Sequence, residues 1–330
     1  MQDLIKEITA VFGPSGSEEK IREVIKNKIS DYVDEVETDK LGNLIAYKKG
    51  NGQGKRIMLA AHMDQIGLLV THIDDDGFLR FTNIGGVKPH RLIGQRFIFA
   101  DGTVGTVGVE KVDEEKDIKL DKLYLDIGAS SKDEATKRAR IGDSVVYYPQ
   151  FNLSGNRIIS SYLDDRIGCI VLIKVLEELK ESPHDIYFVF TVQEEVGLRG
   201  ARTAAYKIEP DLAIAVDVTA TGDTPKAPTM AVSLGDGAAI KIKDSASITH
   251  PMIKELLIST AEKYNIKYQL EVLERGGTDA GSIHLTKGGI PSGTVSIPTR
   301  YIHSPAEMAD LGDVEESIRL LTKLLEEEIE

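Results

Sequence analysis

Acidic and imidazole side chains recur at the ends of apolar stretches in this chain of 330 residues. The clearest example is FVFTVQEEVG, residues 188–197, in which an apolar run is followed by Glu194 and Glu195. Such a run is typical of a strand buried on both faces of a parallel sheet, and ligands collect where such strands end. Two adjacent acids there could divide two roles, one binding a ligand and the other transferring protons. A solvated turn would contain the same residues, so the pair alone does not decide between these interpretations.

Other parts of the chain supply partners for the two glutamates. They follow an apolar strand or begin a helix beside one: His62, Asp64, Asp164, Asp165, Asp217 and His303. If the strands are parallel neighbours, these side chains meet at one edge of one sheet, where so many carboxylates cannot all stay ionised without cations. Mixed imidazole and carboxylate ligands suit zinc, cobalt or manganese better than magnesium or calcium. We therefore predict a pair of divalent cations that share one bridging carboxylate.

Each candidate also has an ordinary structural explanation. Asp164 is suited to cap a helix, and Asp217 is suited to a turn. A single histidine near a strand is more often a hydrogen-bonded residue than a ligand. We interpret the remaining histidines in that way: His72, His90, His184, His250 and His284. The joint occurrence of the candidates at the ends of consecutive strands favours a shared site.

The elements that must position these residues alternate between helix and strand. Apolar periodicity predicts helices near residues 2–12, 166–180, 202–207, 251–264 and 313–328, with another following Ser15 or Ser17. Apolar runs predict strands near residues 43–48, 56–61, 188–193, 212–217 and 294–297. This alternation indicates an α/β fold, with a mixed sheet flanked by helices.

Residues 67–160 have a different pattern. Short alternating stretches are separated by turn signals such as Asp76-Gly77 and Asp101-Gly102, with a single helix-like piece at residues 132–139. Dense short strands with tight turns are typical of a small β-barrel or sandwich. We predict an inserted β domain over residues 67–160, and a catalytic domain formed by residues 1–66 together with 161–330.

Composition narrows the class of protein. The chain has 40 basic and 53 acidic residues and a net charge of −13, which argues against nucleic acid or an anionic membrane as a partner. No secretory signal is visible at the start, no apolar run approaches the roughly 20 residues that span a bilayer, and Cys169 has no partner for a disulfide. We expect a cytoplasmic protein in which Cys169 is a core residue.

Six strings of the sequence resemble, in order, those of the tetrahedral-type aminopeptidases. The strings are AHMDQIG, SYLDDRIG, VQEEVGLRGA, AVDVT, GGTDAGS and RYIHSPAE. The family includes deblocking and glutamyl aminopeptidases, and proteins once labelled cellulase M or endoglucanase. The resemblance extends from the first predicted helix to near the last one and is weakest in the inserted domain.

The resemblance implies a set of metal ligands. Asp164 would bridge two divalent ions, zinc or cobalt. His62 and Asp217 would complete one position, and Glu195 and His303 the other.

The resemblance also implies roles around these ligands. Glu194 would act as the general base, taking a proton from the attacking water and passing it to the leaving amine. Asp64 would orient the imidazole of His62, and the peptide bond between Asp164 and Asp165 would be cis. The implied activity is removal of N-terminal residues from peptides by a metal-dependent aminopeptidase.

The family further implies self-association. The inserted domain would mediate dimer formation, and dimers would assemble into a hollow tetrahedral dodecamer with inward-facing sites. Enclosure would restrict substrates to peptides and small unfolded segments.

Several alternatives remain open from the sequence. A glycoside hydrolase of the endoglucanase type would use two carboxylates that flank the scissile bond, but adjacent glutamates suit that geometry badly and the chain has no Trp for a sugar platform. A dipeptidase, a carboxypeptidase-like enzyme or a deacylase would share the metals and the base. A non-catalytic interaction protein would be expected to have lost a ligand. The GGTDAGS segment, residues 276–282, is either a wall of the site or a plain turn into a helix.

Overall fold

The apolar runs form the strands of a large mixed sheet and a smaller barrel in the computed structural model, which describes residues 1–52 and 54–329. The strands, in chain order, are β1 (Glu35–Thr38), β2 (Leu44–Lys48), β3 (Arg56–His62), β4 (Gly67–Ile73), β5 (Leu79–Ile84), β6 (Arg96–Phe99), β7 (Val104–Val109), β8 (Leu123–Asp126), β9 (Ser144–Tyr147), β10 (Phe151–Ser154), β11 (Arg157–Ser160), β12 (Asp185–Thr191), β13 (Leu212–Thr219), β14 (Ala238–Lys243), β15 (Tyr268–Val272), β16 (Ser292–Arg300) and β17 (Glu307–Asp310).

Helices cover the sheet and connect its strands. They are α1 (Gln2–Thr9), α2 (Glu19–Ile29), α3 (Pro89–Leu92), α4 (Lys132–Ala135), α5 (Leu163–Glu178), α6 (Arg199–Ile208), α7 (Pro251–Lys263), α8 (Ala280–Ile283) and α9 (Leu311–Glu326), with short 3₁₀ turns at Ser30–Tyr32, Glu115–Asp117 and Leu120–Lys122. Within the described residues, none of these helices combines the length and the apolar character needed to cross a membrane.

The middle of the large sheet is parallel. Its strands follow the order β1-β2-β12-β3-β13-β16-β17-β11-β10, and β12, β3, β13 and β16 run in one direction. In register, Thr191 lies opposite His62, and Asp217 lies opposite Ser296. The carboxyl ends of four neighbouring strands therefore meet at one edge, as the strand-end pattern predicts.

Successive residues of the central strands face different helical layers. Leu59 and Ala61 of β3 belong to the large apolar core shared with α1, α2, α5, α7 and α9. Met58 and Ala60 face the opposite side, where they join a smaller core with the alanines of α6, including Ala204. The small alanine side chains let α6 pack closely on the sheet. The predicted α/β class, a mixed sheet flanked by helices with a β-barrel, is confirmed.

Antiparallel strands close the barrel in the order β4-β5-β8-β7-β6-β9. It has an apolar core of its own, which includes Leu68, Leu79, Phe97 and Val145. The chain enters it directly after β3 and leaves it before β10, since β10 pairs with β11 and β11 pairs with β17 of the large sheet. The predicted inserted segment, residues 67–160, thus contains the whole barrel together with these two strands of the large sheet.

Candidate active site

The sheet edge brings the candidate residues to one cavity. His62 is the last residue of β3 and Asp217 lies near the end of β13. Glu194 and Glu195 follow β12 in a turn, after Gln193 adopts a left-handed backbone with φ of 56°. The cavity has a volume of about 550 Å³ and is lined by six of the candidates: His62, Asp164, Glu194, Glu195, Asp217 and His303.

Asp164 lies between the two histidines of the cavity. Its Oδ1 is 3.1 Å from Nε2 of His62, and its Oδ2 is 3.1 Å from Nε2 of His303. The peptide bond between Asp164 and Asp165 is cis, as the resemblance implies. A carboxylate whose two oxygens face different imidazoles has the arrangement of a ligand that bridges two cations.

Ligand atoms converge in two groups within the cavity. Atoms of each group lie within 4.8 Å of one another, and the groups are His62 with Asp164 and Glu195, and His62 with Asp165 and Asp217. Asp165 was not predicted as a ligand, and its carboxylate already accepts the backbone N–H of His62 at 3.2 Å and that of Gly168 at 3.1 Å. Each carboxylate oxygen of Asp165 therefore already accepts a backbone N–H, which makes Asp164 the better metal ligand of the two.

Glu195 and His303 approach each other without forming a hydrogen bond. Oε1 of Glu195 is 3.1 Å from Nε2 of His303, yet within the described part of the chain this buried oxygen has no hydrogen-bond partner. Because Oε1 of Glu195 and Nε2 of His303 lie close without bonding to each other, both can bind one ligand placed between them. A cation between them would satisfy both.

Asp64 connects His62 with the turn that carries the two glutamates. Its backbone carbonyl is 3.2 Å from Nδ1 of His62, and its Oδ1 is 3.5 Å from the same nitrogen. The carboxylate also accepts the backbone N–H of Glu194 at 2.9 Å, that of Glu195 at 3.3 Å and the hydroxyl of Ser15 at 2.6 Å. Asp64 thus contacts the imidazole that it was predicted to orient, and it also fixes the turn after β12.

Two further carboxylates of the cavity face His62. Oε2 of Glu194 is 3.8 Å from Nε2 of His62, and Oδ1 of Asp217 is 3.9 Å from the same nitrogen. Both distances exceed a hydrogen bond. They leave room for a small ligand between the imidazole and the acids.

The surrounding acids perturb both histidines. Burial lowers the pKa of His62, but the charge of Glu194 and the hydrogen bond to Asp164 outweigh burial and hold this pKa well above its usual value. Burial also lowers the pKa of His303, and Glu195 with Asp164 reverses the effect and raises it to about 12. Each imidazole therefore lies in a strongly negative environment that favours a cation.

The acids themselves carry more charge than the site can balance. Burial raises the pKa of Glu194, Glu195 and Asp217 above the usual range of a carboxyl. For Asp164 burial acts in the same direction, but the close contacts of its oxygens with the imidazoles of His303 and His62 hold its pKa well below the usual range. Two imidazoles cannot neutralise four buried carboxylates, so the donor set fits divalent cations.

Glu307 supports the site although sequence reasoning gave it no role. Its Oε2 accepts the backbone N–H of Asp164 at 3.0 Å, and its Oε1 accepts that of His303 at 2.8 Å. Glu307 ends the RYIHSPAE string, so its position next to a candidate ligand was the available signal.

Two other buried acids near the site had no role in the sequence prediction. Glu18 accepts the backbone N–H of Gly16 at 2.7 Å and that of Gln193 at 3.2 Å, and burial raises its pKa to about 7. Asp279 accepts the hydroxyl of Thr191 at 2.5 Å, and burial raises its pKa to about 6. Asp279 belongs to the GGTDAGS string, a candidate wall of the site, whereas the sequence near Glu18 gives no signal of its contact.

The GGTDAGS segment contributes to the cavity wall through Gly276 and Gly277.

The cavity lining, as far as the structure describes the chain, lacks the other five histidines: His72, His90, His184, His250 and His284. His184, for example, accepts the backbone N–H of Lys55 at 2.9 Å and contacts the carbonyl of Glu327 at 2.8 Å. Cys169 is buried and donates to the carbonyl of His62 at 3.2 Å.

Comparison with known proteins gives one family. The sequence matches the M42 glutamyl aminopeptidase family over residues 42–320. The lysyl aminopeptidase of Pyrococcus furiosus is 41% identical over 98% of this chain and 96% of its own.

Solved structures agree with the sequence match. An aminopeptidase from Desulfurococcus kamchatkensis superposes with a TM-score of 0.95 and 44% identity, covering 98% of this chain and 94% of its own. The TET1 peptidase of Pyrococcus horikoshii, which can assemble into a tetrahedron or a large octahedral shell, has a TM-score of 0.86 and 35% identity over 98% and 99% of the two chains. The chain belongs to the M42 glutamyl aminopeptidase family, whose members hydrolyse peptide bonds.

Proposed function

We propose that this protein is a metal-dependent aminopeptidase that releases N-terminal residues from peptides, with Glu194 as general base. The observation that carries the proposal is the position of Asp164 between His62 and His303, with an oxygen 3.1 Å from Nε2 of each. Family membership supports the reaction class, and the convergence of possible ligand atoms supports this cavity as the place of the reaction.

Five side chains would hold two divalent ions. Asp164 would bridge them, His62 and Asp217 would complete one position, and Glu195 and His303 the other. When bound, the ions would polarise the scissile carbonyl and lower the pKa of a water molecule. Zinc and cobalt both suit imidazole and carboxylate ligands, so either metal would serve.

Glu194 is the carboxylate best suited to move the proton. It lines the cavity, and its Oε2 ends 3.8 Å from Nε2 of His62. Burial raises its pKa well above the usual range, which makes the carboxylate a stronger base. Hydrolysis adds one water across the peptide bond, and the proton that Glu194 takes from that water goes to the departing nitrogen.

Asp64 and Glu307 keep the reacting groups in place. Asp64 holds His62 and the backbone of Glu194, and Glu307 holds the backbone of Asp164 and His303. Both acids act through other residues, so they are positioning residues.

The polar groups of the cavity favour a substrate with a free N-terminal amine. Such an amine keeps a lone pair and N–H donors that the ions and the carboxylates would bind, whereas an acylated N-terminus has lost this lone pair to its carbonyl. Apolar lining at Leu198, Val218, Leu273 and Ile302 leaves space for a side chain of the substrate.

Other hydrolytic activities fit less well. An endoglucanase would need two carboxylates that flank a glycosidic bond, and here the carboxylates cluster around two imidazoles. A dipeptidase or a deacylase would use the same cluster, but the lysyl aminopeptidase relative and the family match favour an aminopeptidase.

We further propose that the protein assembles through its barrel and works in the cytoplasm. The inserted segment, residues 67–160, would form dimers, and dimers on the six edges of a tetrahedron would give a dodecamer, the form in which the related PhTET1 was solved. Light scattering should detect a dodecamer-sized species, and a monomer-sized species in the presence of metal would contradict this assembly.

A substrate panel tests the proposed activity. Chelator-treated enzyme, with zinc or cobalt added back, is assayed on aminoacyl chromogenic amides, on N-acetylated versions of the same amides and on carboxymethylcellulose. Metal-restored release from the free-amine substrates alone is expected. Cleavage of the glucan by chelated enzyme, with no amide hydrolysed, would contradict the proposal.

A further inference from the structure

The proposed ligands differ in what holds them in place. His62 and Asp217 lie on strands in the middle of the sheet. Glu195 and His303 lie outside strands, and His303 has a left-handed backbone with φ of 61°. Hydrogen bonds between neighbouring strands fix the backbone of His62 and Asp217. Glu195 and His303 lack such bonds, so other contacts must hold them.

Asp64 and Glu307 hold the backbone of this pair, and a turn of the barrel contacts its side chains. Gly85 and Gly86 follow β5, and both approach the second pair of ligands. A Cβ atom on Gly86 would lie 2.7 Å from Nδ1 of His303, and one on Gly85 would lie 3.0 Å from Oε2 of Glu195. Only glycine allows so close an approach, and Gly85 additionally has a positive φ of 72°.

The barrel holds this turn at both ends. Ile84 before it is buried, and Leu92 after it is buried in the barrel core. The amide of Asn83 donates to the carbonyl of Gly85 at 2.6 Å. Arg91 of α3 donates to the carbonyl of Ile302 at 3.2 Å, directly before His303 in the chain.

We propose that the Gly85–Gly86 turn and Arg91 position Glu195 and His303. The barrel thereby sets the metal affinity of the position that these two ligands form, whereas the sheet sets the affinity of the position formed by His62 and Asp217. This inference rests on the proposed metal pair. It gives the barrel a part in the active site that is separate from assembly.

Metal titration of Gly86→Ala tests the proposal. Gly86 does not have a positive φ, so an alanine fits its backbone and the added methyl group meets the imidazole of His303. Chelator-treated protein is titrated with cobalt chloride by calorimetry, and the visible absorption of bound cobalt is recorded. We expect the first equivalent to bind as in wild type and the second about 10-fold or more weakly, with a changed spectrum for that ion only.

Two further variants make the test specific. Gly288→Ala is the matched control, because a Cβ atom there meets nothing within 4 Å and its φ is not positive; it should bind both equivalents normally. Arg91→Ala leaves the glycines intact and should weaken the same equivalent, which provides the test if the Gly86 variant does not fold by circular dichroism.

The outcomes separate the two proposals. If wild type binds two equivalents, and both barrel variants bind them with the affinities and spectra of wild type, the proposed role of the turn is overturned and the metal pair is not. An equal loss of both equivalents would overturn its selectivity for one position. Fewer than two equivalents in wild type would overturn the metal pair itself, and this inference with it.

Discussion

The carboxylate of Asp64 accepts the backbone N–H of Glu194 at 2.9 Å, which ties the proposed general base to the strand end that carries His62. Asp64 is fully buried and also accepts the hydroxyl of Ser15 at 2.6 Å. One side chain therefore positions groups that come from β3, from the turn after β12 and from the N-terminal segment.

Asp64→Asn should impair both the base and the metal position. The amide keeps one acceptor oxygen but presents an NH₂ group where a second backbone N–H now donates. We expect kcat to fall about 10- to 100-fold, with weaker metal binding. Ser15→Ala removes only the hydroxyl donor to the same carboxylate and should cost less. Normal kcat and metal affinity in Asp64→Asn would remove Asp64 from the positioning role.

Glu194→Gln should keep fold and metal but lose turnover, because an amide cannot accept the proton. The expected loss in kcat is about 100- to 10,000-fold, the usual contribution of a general base. Glu274→Gln is the matched control, since Glu274 is exposed and lies beside the cavity-lining Leu273. Turnover near that of wild type in Glu194→Gln, with full metal content, would exclude Glu194 as the base.

His303→Ala should lose metal as well as rate, because it removes one of the ligands that contact Asp164. Elemental analysis after dialysis should detect about one equivalent of metal fewer per subunit than in wild type. His72→Ala is the control, since 60% of the His72 side chain is exposed and it lies on the barrel. Unchanged metal content in His303→Ala would break the ligand assignment.

Glu307→Gln should destabilise the chelated protein. Each carboxylate oxygen of Glu307 accepts a different backbone N–H, and an amide can satisfy only one of them. Leaving the other donor buried without a partner costs about 1–3 kcal/mol in the free energy of unfolding, measured by denaturant titration. The same substitution at Glu255, which is 69% exposed on α7, should change stability by less than about 1 kcal/mol. Equal stability of the two variants would contradict the supporting role of Glu307.

Sequence reasoning placed residues in the cavity most directly where a polar residue follows an apolar run. His62 and Asp217, whose role as ligands stays a prediction, line the cavity because β3 and β13 each carry an apolar run that leads to a polar residue at the same edge of the sheet. The predicted strand near residues 294–297 extends in fact from Ser292 to Arg300, so His303 lies closer to its end than expected. The positions of such residues depend on local pattern, which a single sequence contains.

Contacts between distant segments could not be predicted in the same way. Glu307 and Asp164 are 143 residues apart, and the residues around Glu307 in the sequence do not indicate a hydrogen bond to the backbone of Asp164. The approach of Gly85 and Gly86 to the ligands depends on how the barrel lies against the sheet, which alternation within short strands does not encode. Strands β14, β15 and β17 were missed for a related reason, because they are short or carry charged residues whose partners lie elsewhere, as in the buried pair of Lys241 and Glu271.

The most direct test follows metal and turnover in the same samples. Chelator-treated enzyme is titrated with cobalt or zinc, and hydrolysis of a free-amine aminoacyl amide is measured beside its N-acetylated counterpart. We expect turnover to return as two equivalents per subunit are filled, and only on the free-amine substrate. Full turnover in metal-free enzyme, or equal hydrolysis of the acetylated amide, would contradict a metal-dependent aminopeptidase centred on Asp164.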